Sequence, residues 1–65
     1  MRLTINGTAR EVPPVEMLPD LLKHLGIQGT VAVELNGRLV RRQDQASTPV
    51  TEGDCLEIVH FVGGG

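Results

Sequence analysis

Apolar and polar positions alternate at the start of the chain. Leu3 and Ile5 are set off by Arg2 and Thr4, and Asn6-Gly7 follows, a dipeptide whose residues both tolerate the positive φ of a two-residue hairpin turn. The pattern predicts a first hairpin with its return arm near Ala9 to Val12, stopped by Pro13-Pro14, because neither proline can donate to a ladder. Hairpin parity puts Arg10 on the face of Val12, a placement suited only to an edge strand. Further along, Leu18, Leu21, Leu22 and Leu25 recur at i, i+3, i+4 and i+7, and Gly26 stands where a left-handed terminating residue belongs. One amphipathic helix of about two turns is expected. Pro19 fits its first turn, where no intrahelical partner for an N–H exists. Met17, at the N-cap position, has no side-chain acceptor, so the start of the helix is predicted to be weakly held.

After Gln28-Gly29, Val31, Val33 and Leu35 alternate with Ala32 and Glu34, and a second Asn-Gly pair, Asn36-Gly37, turns the chain into Leu39-Val40. Gln43 to Thr51 reads as polar and irregular apart from Val50. Glu52-Gly53-Asp54 then turns into a last strand, Cys55 to Phe61, with Leu56 and Ile58 on one face and Cys55, Glu57, Val59 and Phe61 on the other. A helix linking two hairpin-like pairs packs most simply across one face of a mixed sheet, with the first and last strands adjacent and parallel at its centre. The expected fold is therefore α+β, a ubiquitin-like β-grasp with a mixed sheet of four to five strands on one helix. Its predicted core holds Leu3, Ile5, Val12, Leu21, Leu22, Leu25, Val33, Leu35, Val40, Leu56 and Ile58.

Composition narrows the functional classes. Sixty-five residues make one small domain, expected over residues 1–62, with residues 63–65 as a tail. A hydrophobic fraction of 40% and a charged fraction of 22% are those of a folding chain. The net charge of -2 is dispersed, so nucleic acid is not an expected partner. No apolar run approaches the ~20 residues of a membrane span, and no signal-like segment opens the chain, so no membrane association is expected. Cys55, the lone cysteine, excludes an internal disulfide and suits a reducing cytoplasm. It lies between Asp54 and Glu57, an acidic setting that does not favour a thiolate. His24 and His60 have no partner at metal-ligand spacing, and no Ser-His-Asp set, carboxylate pair or phosphate loop is visible. Neither catalytic residues, a metal site nor a bound cofactor is expected.

The chemistry points instead to the end of the chain. Val62 is followed by Gly63, Gly64 and Gly65. Three glycines make a thin thread able to enter a channel that a β-carbon would block, presenting the terminal carboxylate to another protein's active site. A frayed end is the plain alternative. The position of the run, directly after the last predicted strand, favours the functional reading. Val59 and Phe61, on the face away from the helix, together with Val62 form a candidate apolar docking patch beside the tail. Arg38, Arg41 and Arg42 are a candidate basic cluster for steering an acidic partner.

These residues resemble the thiamin-biosynthesis sulfur carriers of the ThiS family. The likeness rests on Ile5-Asn6-Gly7, Asp20-Leu21-Leu22 with Leu25-Gly26, Val31 to Gly37, Val40-Arg41-Arg42, Glu52-Gly53-Asp54, Leu56 to Val59 and Val62 to Gly65, spanning nearly the whole chain. Pro19 in the helix, a loop near Gln43 to Ala46 without tryptophan and the bulky Phe61 depart from the family pattern. The resemblance implies that an activating enzyme uses ATP and Mg²⁺ to adenylate the Gly65 carboxylate. Sulfur derived from a cysteine desulfurase then displaces AMP, and the resulting thiocarboxylate supplies thiazole synthase. On this reading the chain is a cosubstrate, not a catalyst. Carriers for molybdopterin, cysteine or tRNA thiolation share the tail chemistry, as does a modifier that forms isopeptide bonds with lysine. A TGS-like binding module shares the turns but continues into further domains.

Overall fold

The computed structural model describes residues 1–61. Its elements run β1 (Arg2–Ile5), β2 (Thr8–Glu11), α1 (Leu18–His24), β3 (Val31–Leu35), β4 (Arg38–Val40), α2 (Arg42–Gln45) and β5 (Cys55–His60). The five strands form one mixed sheet in the order β2-β1-β5-β3-β4. β5 is central, parallel to β1 and antiparallel to β3, so the expected β-grasp topology is the one observed.

Both hairpins follow from their Asn-Gly turns. Asn6 and Asn36 each have φ 52°, and Gly7 and Gly37 have φ 81° and 84°, so both central residues of each turn are left-handed and the flanking pairs Ile5–Thr8 and Leu35–Arg38 stay in register. The asparagines also reach β5. Asn6 Nδ2 donates to the Ile58 carbonyl at 3.2 Å while its Oδ1 accepts from the Ile58 N–H at 2.7 Å, so the amide takes the place of a backbone unit in the parallel ladder. Asn36 Oδ1 accepts from the Cys55 N–H at 2.9 Å, and its Nδ2 donates to Asp54 Oδ1 at 3.0 Å. The two hairpin turns thereby clamp the central strand, Asn36 at its start and Asn6 within it.

α1 ends in a Schellman motif: the Ile27 N–H bonds the Leu22 carbonyl, the Gly26 N–H bonds the Lys23 carbonyl, and Gly26 has φ 75°. Its start, predicted to be weak, is held from outside the helix. Met17 makes no side-chain cap, but the Leu18 N–H bonds the Thr48 carbonyl at 2.8 Å and the Val50 N–H bonds the Glu16 carbonyl at 2.9 Å around a Met17–Pro49 bridge.

That bridge corrects the predicted core. Leu18 and Val50, absent from the expected set, are buried on either side of it, and Val31 is buried on the helix-facing side of β3. Leu22, Leu25, Leu35 and Val40 are only half-buried, because the core centres on the Leu18–Leu21 side of the helix stripe and β4 is an edge strand. Arg42–Gln45, which overlaps the start of the Gln43 to Thr51 stretch read as irregular, forms α2, a single turn secured by the hydroxyls of Ser47 and Thr48 on the Asp44 carbonyl and by Gln45 Nε2 on the Val31 carbonyl. The return arm of the first hairpin is β2 rather than Ala9 to Val12, although Val12 just beyond it is buried. All of β2 is exposed at the sheet edge, which accommodates Arg10 opposite Leu3. The last strand stops at His60, one residue short of the expected Phe61.

Candidate functional site

Alternation along the sheet separates two faces. Leu3, Ile5, Val31, Val33, Leu56 and Ile58 point to α1 and are buried, whereas Arg2, Thr4, Ala32, Glu34, Leu39, Cys55, Glu57 and Val59 belong to the outer face. No helix covers this outer face among the described residues. Among the described residues three large apolar side chains remain exposed: Leu39 at 71%, Val59 at 56% and Phe61 at 59%. The first two lie on the outer face through β4 and β5, and Phe61 continues the alternation of β5, its N–H bonded to the Thr30 carbonyl at 3.2 Å.

Val59 and Phe61 are exposed on the face where strand parity expects them, and Leu39 is a further exposed apolar side chain on that face. Alternation in Arg38-Leu39-Val40 does place Leu39 apart from the half-buried Val40, but the sequence leaves open whether so short a strand is an edge. The basic cluster divides. Arg38 sits opposite Leu35 and so shares the helix-side parity of β4, away from Leu39 and Val59. Arg41 caps α2 and is engaged by Asp44 at 3.2 Å, and Arg42, also exposed, opens α2. Register thus separates Arg38 from the outer-face apolar residues, while Arg41 and Arg42 follow β4 at the start of α2. Val62, Gly63, Gly64 and Gly65, the last of the docking set and the whole of the expected tail, lie outside the described residues. The last described residues before them are His60, whose ring Nε2 hydrogen-bonds the Gln28 carbonyl, and Phe61, so the central strand is tied to the α1–β3 connection where it ends.

Cys55 is exposed on the outer face. Among the described residues no three His, Cys, Asp or Glu side chains come together as a metal site, and no helix is long and apolar enough to cross a membrane. A shallow hollow lies on the other side of the molecule between α1 and the following loop, lined by Pro19, Leu22, Lys23, Gly26, Ile27, Gln28 and Gly29. It brings no acid–base pair or nucleophile together.

Known proteins repeat this architecture. A crystal structure of a thiamine biosynthesis protein (ThiS) from Geobacter metallireducens superposes with a TM-score of 0.80 at 38% identity, covering 100% of both chains. An NMR solution structure of a thiamine biosynthesis protein from the same organism gives 0.81 at 38% identity, over 100% of this chain and 88% of that one. Among curated proteins, a thiazole synthase of Paramagnetospirillum magneticum is 42% identical over 66 residues and one of Magnetococcus marinus is 36% identical over 66 residues. The chain aligns in full with each but spans only 20% of their length. The model of the ThiS family matches residues 3–65, which takes in β1 from Leu3 onward, β2 to β5, both helices and the three glycines. Matched over nearly its whole length in sequence and in fold, the chain belongs to the ThiS family.

Proposed function

We propose that this chain is a sulfur carrier of thiamin biosynthesis that acts through the carboxylate of Gly65. The observation that carries the reading is the family match running through Gly63-Gly64-Gly65, which follow the exposed Val59 and Phe61 closely in the chain. In the proposed cycle, an adenylating enzyme binds ATP and Mg²⁺ and the Gly65 carboxylate attacks the α-phosphorus, releasing pyrophosphate and leaving an acyl adenylate. The terminal sulfur of a persulfide formed by a cysteine desulfurase then attacks the acyl carbon and expels AMP, and a thiol reductant cleaves the S–S bond of the resulting acyl disulfide, itself becoming oxidised. The product is a C-terminal thiocarboxylate, ionised at neutral pH and more nucleophilic at its soft sulfur than a carboxylate at oxygen. The chain's share of the work is to be recognised, to present its end and to carry the sulfur. Adenylation belongs to the partner.

Thiazole synthase is the proposed acceptor. The support is that two proteins of that name contain a segment resembling this whole chain. Val59, Phe61 and Val62, with Leu39 added, form the proposed docking patch, and Arg38, Arg41 and Arg42 are proposed to steer approach. A cytoplasmic setting follows from the proposed partners.

The test is intact-mass analysis after incubation with the adenylating enzyme of the same organism, Mg-ATP, a cysteine desulfurase, cysteine and a reductant. The mass is expected to rise by the difference between sulfur and oxygen, mapped to Gly65. Unchanged mass, or a gain mapped to Cys55, would refute the tail assignment. Supplying the thiocarboxylated product to thiazole synthase, with molybdopterin synthase as the comparison, identifies the acceptor.

A further inference from the structure

The outer face has an electrostatic anomaly beside its apolar side chains. On the β1–β2 rung, Arg2 stands opposite Glu11 and the two charges match, Nη1 to Oε1 at 3.6 Å. On the β3–β5 rung, Glu34 stands opposite Glu57. Both are exposed, and among the described residues neither enters an ion pair. Like charges directly opposite on one sheet face repel and weaken the pairing. The next residue on the same rung is Leu39 on β4, which cannot offset them, and Arg41, two residues on, is engaged by Asp44.

The rung lies between the apolar positions. Leu39 is opposite Glu34, and Val59 is two residues beyond Glu57 on β5, opposite Ala32. Leu39 and Val59 are thus separated by β3, about 12 Å apart, two strand spacings across and two residues along. A flat protein surface that touches both must also lie over Glu34 and Glu57. If that surface were wholly apolar it would bury two adjacent, unpaired carboxylates, at a cost exceeding the benefit of covering the side chains around them. The partner must therefore bring a cation. A guanidinium fits best: it is planar, remains charged, is less strongly hydrated than an ammonium, and its five donors can serve two carboxylates together.

Resting on the carrier reading above, we propose that Glu34 and Glu57 form a carboxylate clamp for one arginine of the adenylating enzyme, seated among the apolar contacts to Leu39, Val59 and Phe61. The clamp selects among partners: a face with apolar side chains but no cation opposite this rung is rejected. The free carrier bears the repulsion, and the complex relieves it.

The experiment measures the KM of the adenylating enzyme for the carrier, by pyrophosphate release, for wild type, E34Q/E57Q and V59S/F61S at low and high salt. E34Q/E57Q is expected to raise KM about tenfold or more at low salt and to flatten its salt dependence. Its thermal midpoint should rise, because the repulsion is removed. A merely structural role would move neither the salt dependence nor the KM in that direction. V59S/F61S should raise KM while retaining the wild-type salt dependence. An unchanged KM for E34Q/E57Q overturns the clamp even if V59S/F61S is impaired, and leaves the tail chemistry standing provided wild type still gains mass at Gly65. Absence of that gain in wild type refutes the carrier reading instead.

Discussion

Asn6 is the residue on which the centre of the sheet depends most locally. It adopts positive φ to make the hairpin turn and simultaneously offers donor and acceptor to the Ile58 backbone, in a partly buried setting. Asn6→Gly keeps the turn geometry but orphans both Ile58 groups, so a loss of about 1–3 kcal/mol is expected. Asn6→Ala adds left-handed strain of about 1–2 kcal/mol. The same pair at Asn36, where the side-chain bonds are exposed, should cost less because water replaces the lost partners. Urea denaturation is expected to rank the variants N6A, N6G, N36G from most to least destabilised, at an unchanged m-value. Equal losses for N6G and N36G would show that the burial of the Asn6 bonds adds nothing to their worth. An Asn-Gly pair announces the turn from sequence alone. Nothing in it announces the clamp, since that requires knowing that β5 returns between the two hairpins.

At the scale of elements, what was legible is what is periodic. The leucine stripe, the two alternating hairpins and the Leu56–Ile58 strand carry their own geometry, and each lies within a residue or two of its expected place. α2 has no apolar period in Arg42-Gln43-Asp44-Gln45 and owes its turn to hydroxyls and an amide supplied from elsewhere, so pattern reading missed it. Val50 was missed for the same reason: one apolar residue in a polar stretch has no periodicity, and its burial is decided by the Met17–Pro49 bridge. Leu18→Ala removes a side chain with no exposed surface and is expected to cost about 2–5 kcal/mol, a large share of the roughly 3–10 kcal/mol available to a domain of this size. Leu25→Ala, half-buried at the other end of the stripe, should cost clearly less. Gly26→Ala isolates the end of the helix, for a β-carbon there meets no atom within 4 Å and only the left-handed backbone resists it. About 1–2 kcal/mol is expected, read as a lowered thermal midpoint.

Taken as a whole, and on the proposed carrier reading, the molecule divides its labour between a body that folds and an end that reacts. Every buried apolar residue of the core cluster lies between Leu3 and Ile58, so the fold has no described dependence on the last glycines. The outer face, by contrast, keeps Leu39, Val59 and Phe61 in water, surface that folding leaves available for a partner. The site was only partly legible for a related reason: strand parity identifies Val59 and Phe61, but the alignment of Leu39 with Glu34 and Glu57 needs the registers of two strand pairs at once. Removing Gly64 and Gly65 should therefore leave urea stability within about 0.5 kcal/mol of wild type. The truncated chain should nevertheless release no pyrophosphate with the adenylating enzyme and ATP, because the acyl carbon can no longer reach the nucleotide. It should also compete with the full-length carrier through the intact outer face, so adding it in excess slows adenylation of the wild type. V59S/F61S introduced into the truncated chain should abolish that competition without altering its melting. A truncated chain that unfolds would place part of the fold in the glycine run. One that folds, fails to react and fails to compete would place recognition in the tail and leave the outer face without a role in this encounter.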